Sequence, residues 1–276
     1  ALAQFGLHDF CARGVSSGES SRLGGAAHLT NFLGSETVEG IMAARHHYGE
    51  HMAGYSVIAT EHSTMTAWGE DGELEAFRRM VSETNRGKIV SIVSDSWNVQ
   101  RVLNEYLPQL REEIIDHAVS LVVRLDSGDP VQQVINALDA LGYLFGVETN
   151  VAGYDVIKHG VRVLQGDGID AVVMEKILEE MLERGWSIDN IVFGMGGALL
   201  QRVNRDTLKF AYKACAFEFA SGEVRQVHKR SEDAWKTSKT LAELDTSRLQ
   251  TVYRDGQVLT RWTMDEVRRR AARGAE

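Results

Sequence analysis

The sequence predicts an α/β fold built on a parallel sheet, and three observations carry that expectation. Short β-branched runs alternate with longer helical stretches through the middle of the chain. Each run ends in a loop of glycine, serine and acidic residues, and only two prolines occur in 276 residues, too few for Pro-rich linkers. Apolar strands buried on both faces, each followed by a loop and a helix, are the pattern of βα connections. Functional residues of such sheets lie at the C-terminal strand ends.

Taken in order, residues 89–93 read as a strand ending in Ser94-Asp95-Ser96, with a helical segment over 99–110. Residues 119–123 form a second strand, ending in Arg124-Leu125-Asp126-Ser127-Gly128. Pro130 suits the first turn of a helix over 131–145, whose apolar positions Val131, Val134, Ile135, Leu138 and Leu141 recur at helical spacing. A third strand, 161–164, ends in Gln165-Gly166-Asp167-Gly168 before a helix over 172–184. A fourth, 191–193, ends in Gly194-Met195-Gly196-Gly197 before a helix over 198–203. Beyond residue 207 the character changes. Residues 210–219 and the surroundings of Asp255-Gly256 read as antiparallel strands and a hairpin, 228–245 as a mobile polar loop, and 264–273 as an amphipathic surface helix. The expected division is a catalytic α/β portion over 1–207 and a second portion over 208–276.

Composition bounds the function. Hydrophobic residues at 43% and charged residues at 25% are ordinary for a chain that buries a real core. The net charge of −9 argues against a nucleic-acid-binding surface. A few arginines and backbone N–H groups can still bind phosphate locally. The two cysteines, Cys11 and Cys215, stand in no metal-ligand spacing; a reduced, cytoplasmic compartment is expected, with both thiols as small buried hydrophobes. No apolar run approaches the ~18 residues of a membrane helix, so no membrane partner is expected. The chain begins at Ala1 without a methionine, which fits processing or a piece of a longer protein.

Three strand-end loops suggest a site for a phosphorylated ribose. Gly194-Met195-Gly196-Gly197 leads into a helix, so successive N–H groups can converge on an anion; a plain tight turn competes with that reading. Arg205, on the helix that follows, adds a guanidinium for the same phosphate. Asp167, between glycines, can reach ribose hydroxyls or a phosphate-bound Mg²⁺, or can cap the next helix. Arg124 and Asp126, pointing in alternating directions, offer a cation for phosphate and a carboxylate for a diol, with a structural ion pair as the alternative. His62 follows Glu61, its partner or a neighbour facing away. His46-His47 reads as surface. Phe10, three residues before Arg13, suits a clamp on a flat ring and a phosphate.

The order and spacing of His8-Asp9-Phe10-x-x-Arg13-Gly14, Gly54-Tyr55-Ser56-Val57, Glu61-His62-Ser63-Thr64, Ser94-Asp95-Ser96, Arg124-x-Asp126-Ser127-Gly128, Gln165-Gly166-Asp167-Gly168, Trp186-Ser187-Ile188 and Gly194-x-Gly196-Gly197 closely resembles the nicotinamide phosphoribosyltransferase family of type II phosphoribosyltransferases. The resemblance spans nearly the whole chain and is weakest over 228–247. It implies an irregular (β/α) barrel with an additional antiparallel β portion near the C-terminus. It also implies a homodimer that forms nicotinamide mononucleotide and pyrophosphate from nicotinamide and phosphoribosyl pyrophosphate, with Mg²⁺ and with ATP as a coupling co-substrate.

Carried over by position, Phe10 matches a ring-stacking aromatic and Arg13 an arginine near pyridine and diphosphate. His62 matches a catalytic histidine that ATP can phosphorylate. Arg124 and Asp126 match residues gripping base and ribose, with Asp126 counted as catalytic. Gly166, Asp167, Gly196, Gly197 and Arg205 match contacts to ribose and 5′-phosphate. Glu36 stands where the family has an aspartate that accepts the carboxamide, Leu125 replaces a proline and Met195 a serine. The family's N-terminal region, well over a hundred residues with a second ring-stacking aromatic, has no counterpart here; a separate chain is one expected source. The competing readings are a nicotinate phosphoribosyltransferase and a binding module that needs a second chain for activity.

Overall fold

The computed structural model describes residues 2–202, 204–208, 213–230, 232, 237–244 and 250–274. Strands β1 (Leu7–Asp9), β2 (Gly34–Ser35), β3 (Ile58–Ala59), β4 (Ile89–Val93) and β5 (Ser120–Leu125) come first. A hairpin of β6 (Val147–Thr149) and β7 (Asp155–Ile157) precedes β8 (Arg162–Gln165) and β9 (Ile191–Met195). Seven of these strands form one parallel sheet in the order β2-β1-β9-β8-β5-β4-β3. The register sets Val93 beside Arg124, Leu125 beside Gln165 and Asp9 beside Met195, so the C-terminal ends of neighbouring strands lie level.

The sheet curls until both edges meet one segment. The Tyr55 N–H donates to the Leu33 carbonyl (2.8 Å), and the Tyr55 carbonyl accepts from the Ser35 N–H (3.0 Å), beside β2. Three residues on, Ile58 and Ala59 form β3, the opposite edge, and pair with Val90 and Ser91 of β4. The backbone groups of both edge strands thereby find partners, the condition a parallel sheet otherwise meets by adding strands.

Around it run α1 (Gly18–His28), α2 (Val38–Tyr48), α3 (His62–Thr66), α4 (Glu73–Met80), α5 (Val99–Arg101), α6 (Leu107–Asp116), α7 (Pro130–Phe145), α8 (Ala171–Glu183) and α9 (Gly197–Gln201). Helix α7 follows its sequence closely: Pro130 sits in the first turn, Asp129 accepts the Gln132 N–H (2.9 Å), and Val134, Ile135, Leu138 and Leu141 are buried. The helix expected over 99–110 begins in place, capped by Asn98, but runs through a π-helical stretch, Val102–Tyr106, between α5 and α6. Such a bulge fits an extra residue into a turn and is invisible to a 3.6-residue pattern. The main core packs these helices on the outer face of the sheet, with Phe77, Leu107, Leu110, Leu121 and Leu138 fully buried.

Contacts divide the chain into two units, Ala1–Gln201 with Met264–Glu276, and Arg202–Thr263. The second holds α10 (Arg205–Leu208), the antiparallel pair β10 (Ala216–Glu218) and β11 (Val224–Gln226), and the hairpin β12 (Tyr253–Arg254) and β13 (Gln257–Val258) around Asp255-Gly256. Part of the strand expected over 210–219 lies outside the described residues, as do parts of the loop over 228–245, whose described portion includes a helical turn, Leu241–Glu243. Helix α11 (Met264–Arg273), grouped by sequence with the second portion, belongs to the first. Met264 is buried against Leu29, Ala44 and Ala53, and the Arg268 guanidinium donates to the Leu29 (3.0 Å) and Ala53 (2.7 Å) carbonyls. Cys11 is buried as expected; Cys215 is only half-buried. Among the described residues, no helix is long and apolar enough to cross a membrane.

Strand β5, interior to the sheet, gives a direct check on this core. Leu121→Ala, at a fully buried position of β5, is expected to cost about 2–5 kcal/mol in urea unfolding. A cost near zero would contradict the packing described.

Candidate active site

Because every strand of the sheet runs the same way, the residues just past each C-terminus gather at one mouth. They are Phe10 after β1, Glu36 after β2, His62 after β3, Asp95 after β4, Asp126 after β5, Gly166 after β8 and Gly196 after β9. The sequence named all of these strand-end positions except Asp95 as site residues.

Asp95 joins two of them. His62 opens α3, and its Nε2 lies 3.1 Å from Asp95 Oδ1. The other oxygen of Asp95 accepts the Asp126 N–H (3.2 Å). The His62 side chain keeps 40% exposure while Asp95 keeps 6%, so the carboxylate is held inside and the imidazole reaches out. Glu61 is not the histidine's partner: it caps α3, accepting the Ser63 N–H (2.9 Å) within a capping box. Asp95 was legible only as one more acid at a strand end, since its partner lies 33 residues away in sequence.

Arg124 and Asp126 do not point in alternating directions. Residues two apart on a strand share a face, and Arg124 Nη2 donates to Asp126 Oδ2 (2.5 Å). Burial pushes the Asp126 carboxyl above its usual range, against the pull of Arg124. The ion pair does not use up the polar capacity of the mouth. Arg124 Nε, Asp126 Oδ1, Ser96 Oγ and Gln165 Oε1 are all buried with no hydrogen-bond partner among the described residues. Buried polar atoms are nearly always paired, so several orphans at adjacent strand ends mark a place built for a polar ligand.

Two glycines make room for this arrangement. A Cβ at Gly194 would sit 2.1 Å from the Phe10 ring, and one at Gly166 would sit 2.2 Å from Asp126 Oδ1. With both absent, the Phe10 ring lies against β9 and the Arg124 guanidinium stands 5.4 Å from its centre.

Glu36 is exposed at the rim. Its Oε1 accepts the Ser56 hydroxyl (2.6 Å) and lies 3.9 Å from His8 Nδ1. The His8 imidazole, and then the Ser56 hydroxyl, hold this carboxyl below its ordinary range in spite of partial burial. His8 and Ser56, unremarked as site residues in the sequence, also line an apolar cavity of about 680 Å³ in the barrel interior. It reaches past Ser91, Val122 and Leu164 to Arg162 and Asp189 near the N-terminal strand ends.

Other expected residues are exposed or have open space around them. Arg13 is exposed on the turn after β1, and Asp167 is exposed beyond β8. The capping role considered for Asp167 falls instead to Asp170, which accepts the Val173 N–H (3.0 Å). Gly196 and Gly197 have open space around them, with α9 starting at Gly197. Arg205 does not continue that helix; it opens α10 in the second unit and pairs with Asp206 (2.8 Å). Among the described residues, no group of three or more His, Cys, Asp or Glu is arranged to hold a metal ion.

A parallel α/β barrel with its polar groups gathered at the C-terminal mouth defines the class first. The same fold occurs in a solved Saccharomyces cerevisiae structure that carries the name nicotinate phosphoribosyltransferase, with a TM-score of 0.50 and 14% identity over 86% of this chain and 55% of that one. The chain belongs to the nicotinate phosphoribosyltransferase (NAPRTase) family, whose pattern matches residues 5–257. It is 44% identical, over 97% of its length, to a nicotinamide phosphoribosyltransferase of Xanthomonas campestris pv. campestris. It is 33% identical to one of Acinetobacter baylyi and 37% to one of Mycoplasma pneumoniae, over 98% and 79% of this chain. The chain spans 62%, 61% and 49% of those relatives' lengths.

If His8 is what holds the Glu36 carboxyl down, His8→Leu should raise its titration midpoint towards the ordinary glutamate value, read from the carboxyl ¹³C shift. An unmoved midpoint would return the effect to Ser56 alone.

Proposed function

We propose that this chain is the catalytic barrel of a nicotinamide phosphoribosyltransferase, joining nicotinamide to the ribose of phosphoribosyl pyrophosphate with release of pyrophosphate. The observation that carries the amide reading is Glu36. A carboxylate held ionised at the rim, with one oxygen engaged by Ser56, presents acceptor capacity to an amide N–H₂ and repels a ring carboxylate. The likeness to three relatives bearing that name supports it.

In this reading Phe10 and Arg124 hold the pyridine ring, so that its nitrogen is in line with the ribose C1. Asp126 takes the ribose diol, while Gly166, Asp167, Gly196 and Gly197 receive the ribose and 5′-phosphate. Arg13 meets the diphosphate as negative charge builds on it. Mg²⁺ would enter with the diphosphate as part of the substrate and offset the charge that builds on it. ATP coupling falls to His62, whose half-exposed imidazole is oriented by Asp95 and accessible to a phosphoryl donor. A homodimer, or a separate chain supplying the second ring-stacking aromatic, completes the base site, and the setting is cytoplasmic.

The test is pyrophosphate release with nicotinamide and with nicotinate, using the chain alone and with the N-terminal segment of a relative added. Nicotinamide should be preferred, and Glu36→Gln should erode that preference roughly 10–100-fold, the worth of one hydrogen bond to a charged group. Equal rates with both bases would sink the amide assignment, and preference for nicotinate would favour the acid-using reading. In the same system His62→Ala should abolish most coupled ATP hydrolysis; an undiminished rate would remove His62 from that role.

A further inference from the structure

Helix α11 reaches back to the seam where the sheet closes, and the proposed reaction gives it no role. Arg268 stands near its middle, with Nε donating to the Leu29 carbonyl (3.0 Å) and Nη2 to the Ala53 carbonyl (2.7 Å). Leu29 and Ala53 are fully buried, so neither carbonyl can turn to water. Among the described residues no backbone N–H donates to either oxygen. Met264, one turn earlier on α11, packs in the same apolar cluster as Leu29 and Ala53. The two carbonyls stand at the roots of two chain segments that meet at the mouth. From Leu29, just past α1, the chain runs through Leu33 and β2 to Glu36; from Ala53 it runs through Gly54 and Tyr55 to Ser56. Tyr55 joins the segments through its bonds to Leu33 and Ser35, and the Ser56 hydroxyl joins them again at Glu36 Oε1 (2.6 Å). The roots are already pressed together, since a Cβ at Gly54 would fall 2.9 Å from Leu29 Cδ2.

We propose that Arg268 is a positioning residue that sets the bond between Ser56 and Glu36. Its planar guanidinium spans both carbonyls at once and so fixes their separation. The Tyr55 bonds carry that alignment forward to Ser56, three residues beyond Ala53, and to Glu36, seven beyond Leu29. Without the fork two buried carbonyls are left unpaired, a penalty that draws the segments apart towards water. A lysine ammonium keeps the charge but offers no rigid fork to bridge the pair. The consequence for base preference rests on the amide reading of Glu36, while the alignment itself does not.

The experiment compares the unaltered chain with Arg268→Ala, Arg268→Lys and the core variant Leu121→Ala. It reads the Glu36 carboxyl ¹³C titration, the Tyr55 and Ser35 amide exchange relative to the β5 amides, and the exchange of the Arg268 Nε–H. In the unaltered chain the Nε–H should exchange slowly; exchange as fast as that of a solvated arginine overturns the clamp before any variant is made. Both Arg268 variants should speed Tyr55 and Ser35 exchange roughly tenfold or more relative to β5, as a local opening does. Both should also raise the Glu36 midpoint, because the Ser56 hydroxyl helps to hold that carboxyl down. Arg268→Lys keeps the charge and the apolar stem, and it carries the test where Arg268→Ala does not fold. Leu121→Ala weakens the core and should leave the Glu36 midpoint and the relative exchange unmoved. A merely structural Arg268 would behave in the same way as Leu121, and that result overturns the proposal. None of these signals depends on turnover, so a chain without base preference would sink the amide reading and leave the alignment standing.

Discussion

The closure of the parallel sheet by residues 55–59 is the constraint on which the rest depends. This short segment must satisfy β2 with Tyr55 and β4 with Ile58 and Ala59. With both edges tied, the strand ends have fixed positions relative to one another, and side chains from seven strands can share one mouth. His62 stands three residues beyond the closing pairs, so the same backbone that seals the barrel also sets the histidine opposite Asp95.

Electrostatics then decides what the mouth can hold. Asp95, Asp126, Arg124 and His62 form one connected polar set, in which Asp95 bonds a side chain with one oxygen and a backbone N–H with the other. Burying unpaired charge costs several kcal/mol even after relaxation, so this set is stable only as a unit. The orphan atoms Arg124 Nε, Asp126 Oδ1, Ser96 Oγ and Gln165 Oε1 are the exception. Each lacks a bond worth about 1–3 kcal/mol when left unmade in a buried place. Their deficit is what a ligand rich in hydroxyl and phosphate oxygens is suited to relieve.

Much of this was legible in the sequence where local physics dominates. Strands β4, β5, β8 and β9 announce themselves as β-branched runs, and Pro130 with its apolar spacing fixes α7. Strands β1, β2 and β3, of three, two and two residues, are too short to show a period, so the barrel was legible through the family resemblance and not through local pattern. At the mouth, residue types were legible and partners were not. His62 was recognisable, but its bond to Asp95 depends on how β3 and β4 align. The assumption that Arg124 and Asp126 diverge failed on the pleat of the strand itself. Arg268 could be seen as a basic residue of a surface helix, yet its two carbonyl partners lie more than 200 residues earlier.

The two glycines at the mouth bear on how such a site can change over evolutionary time. Phe10 and Gly194 occupy one volume between neighbouring strands, and Asp126 and Gly166 another. A larger residue at either glycine displaces the side chain opposite, and loss of that side chain alone leaves a gap beside the glycine. Each pair is therefore a single heritable unit whose halves cannot drift independently. A chain that lost the Phe10 ring would be released from needing Gly194, and a side chain at that position would take over the volume the ring now fills.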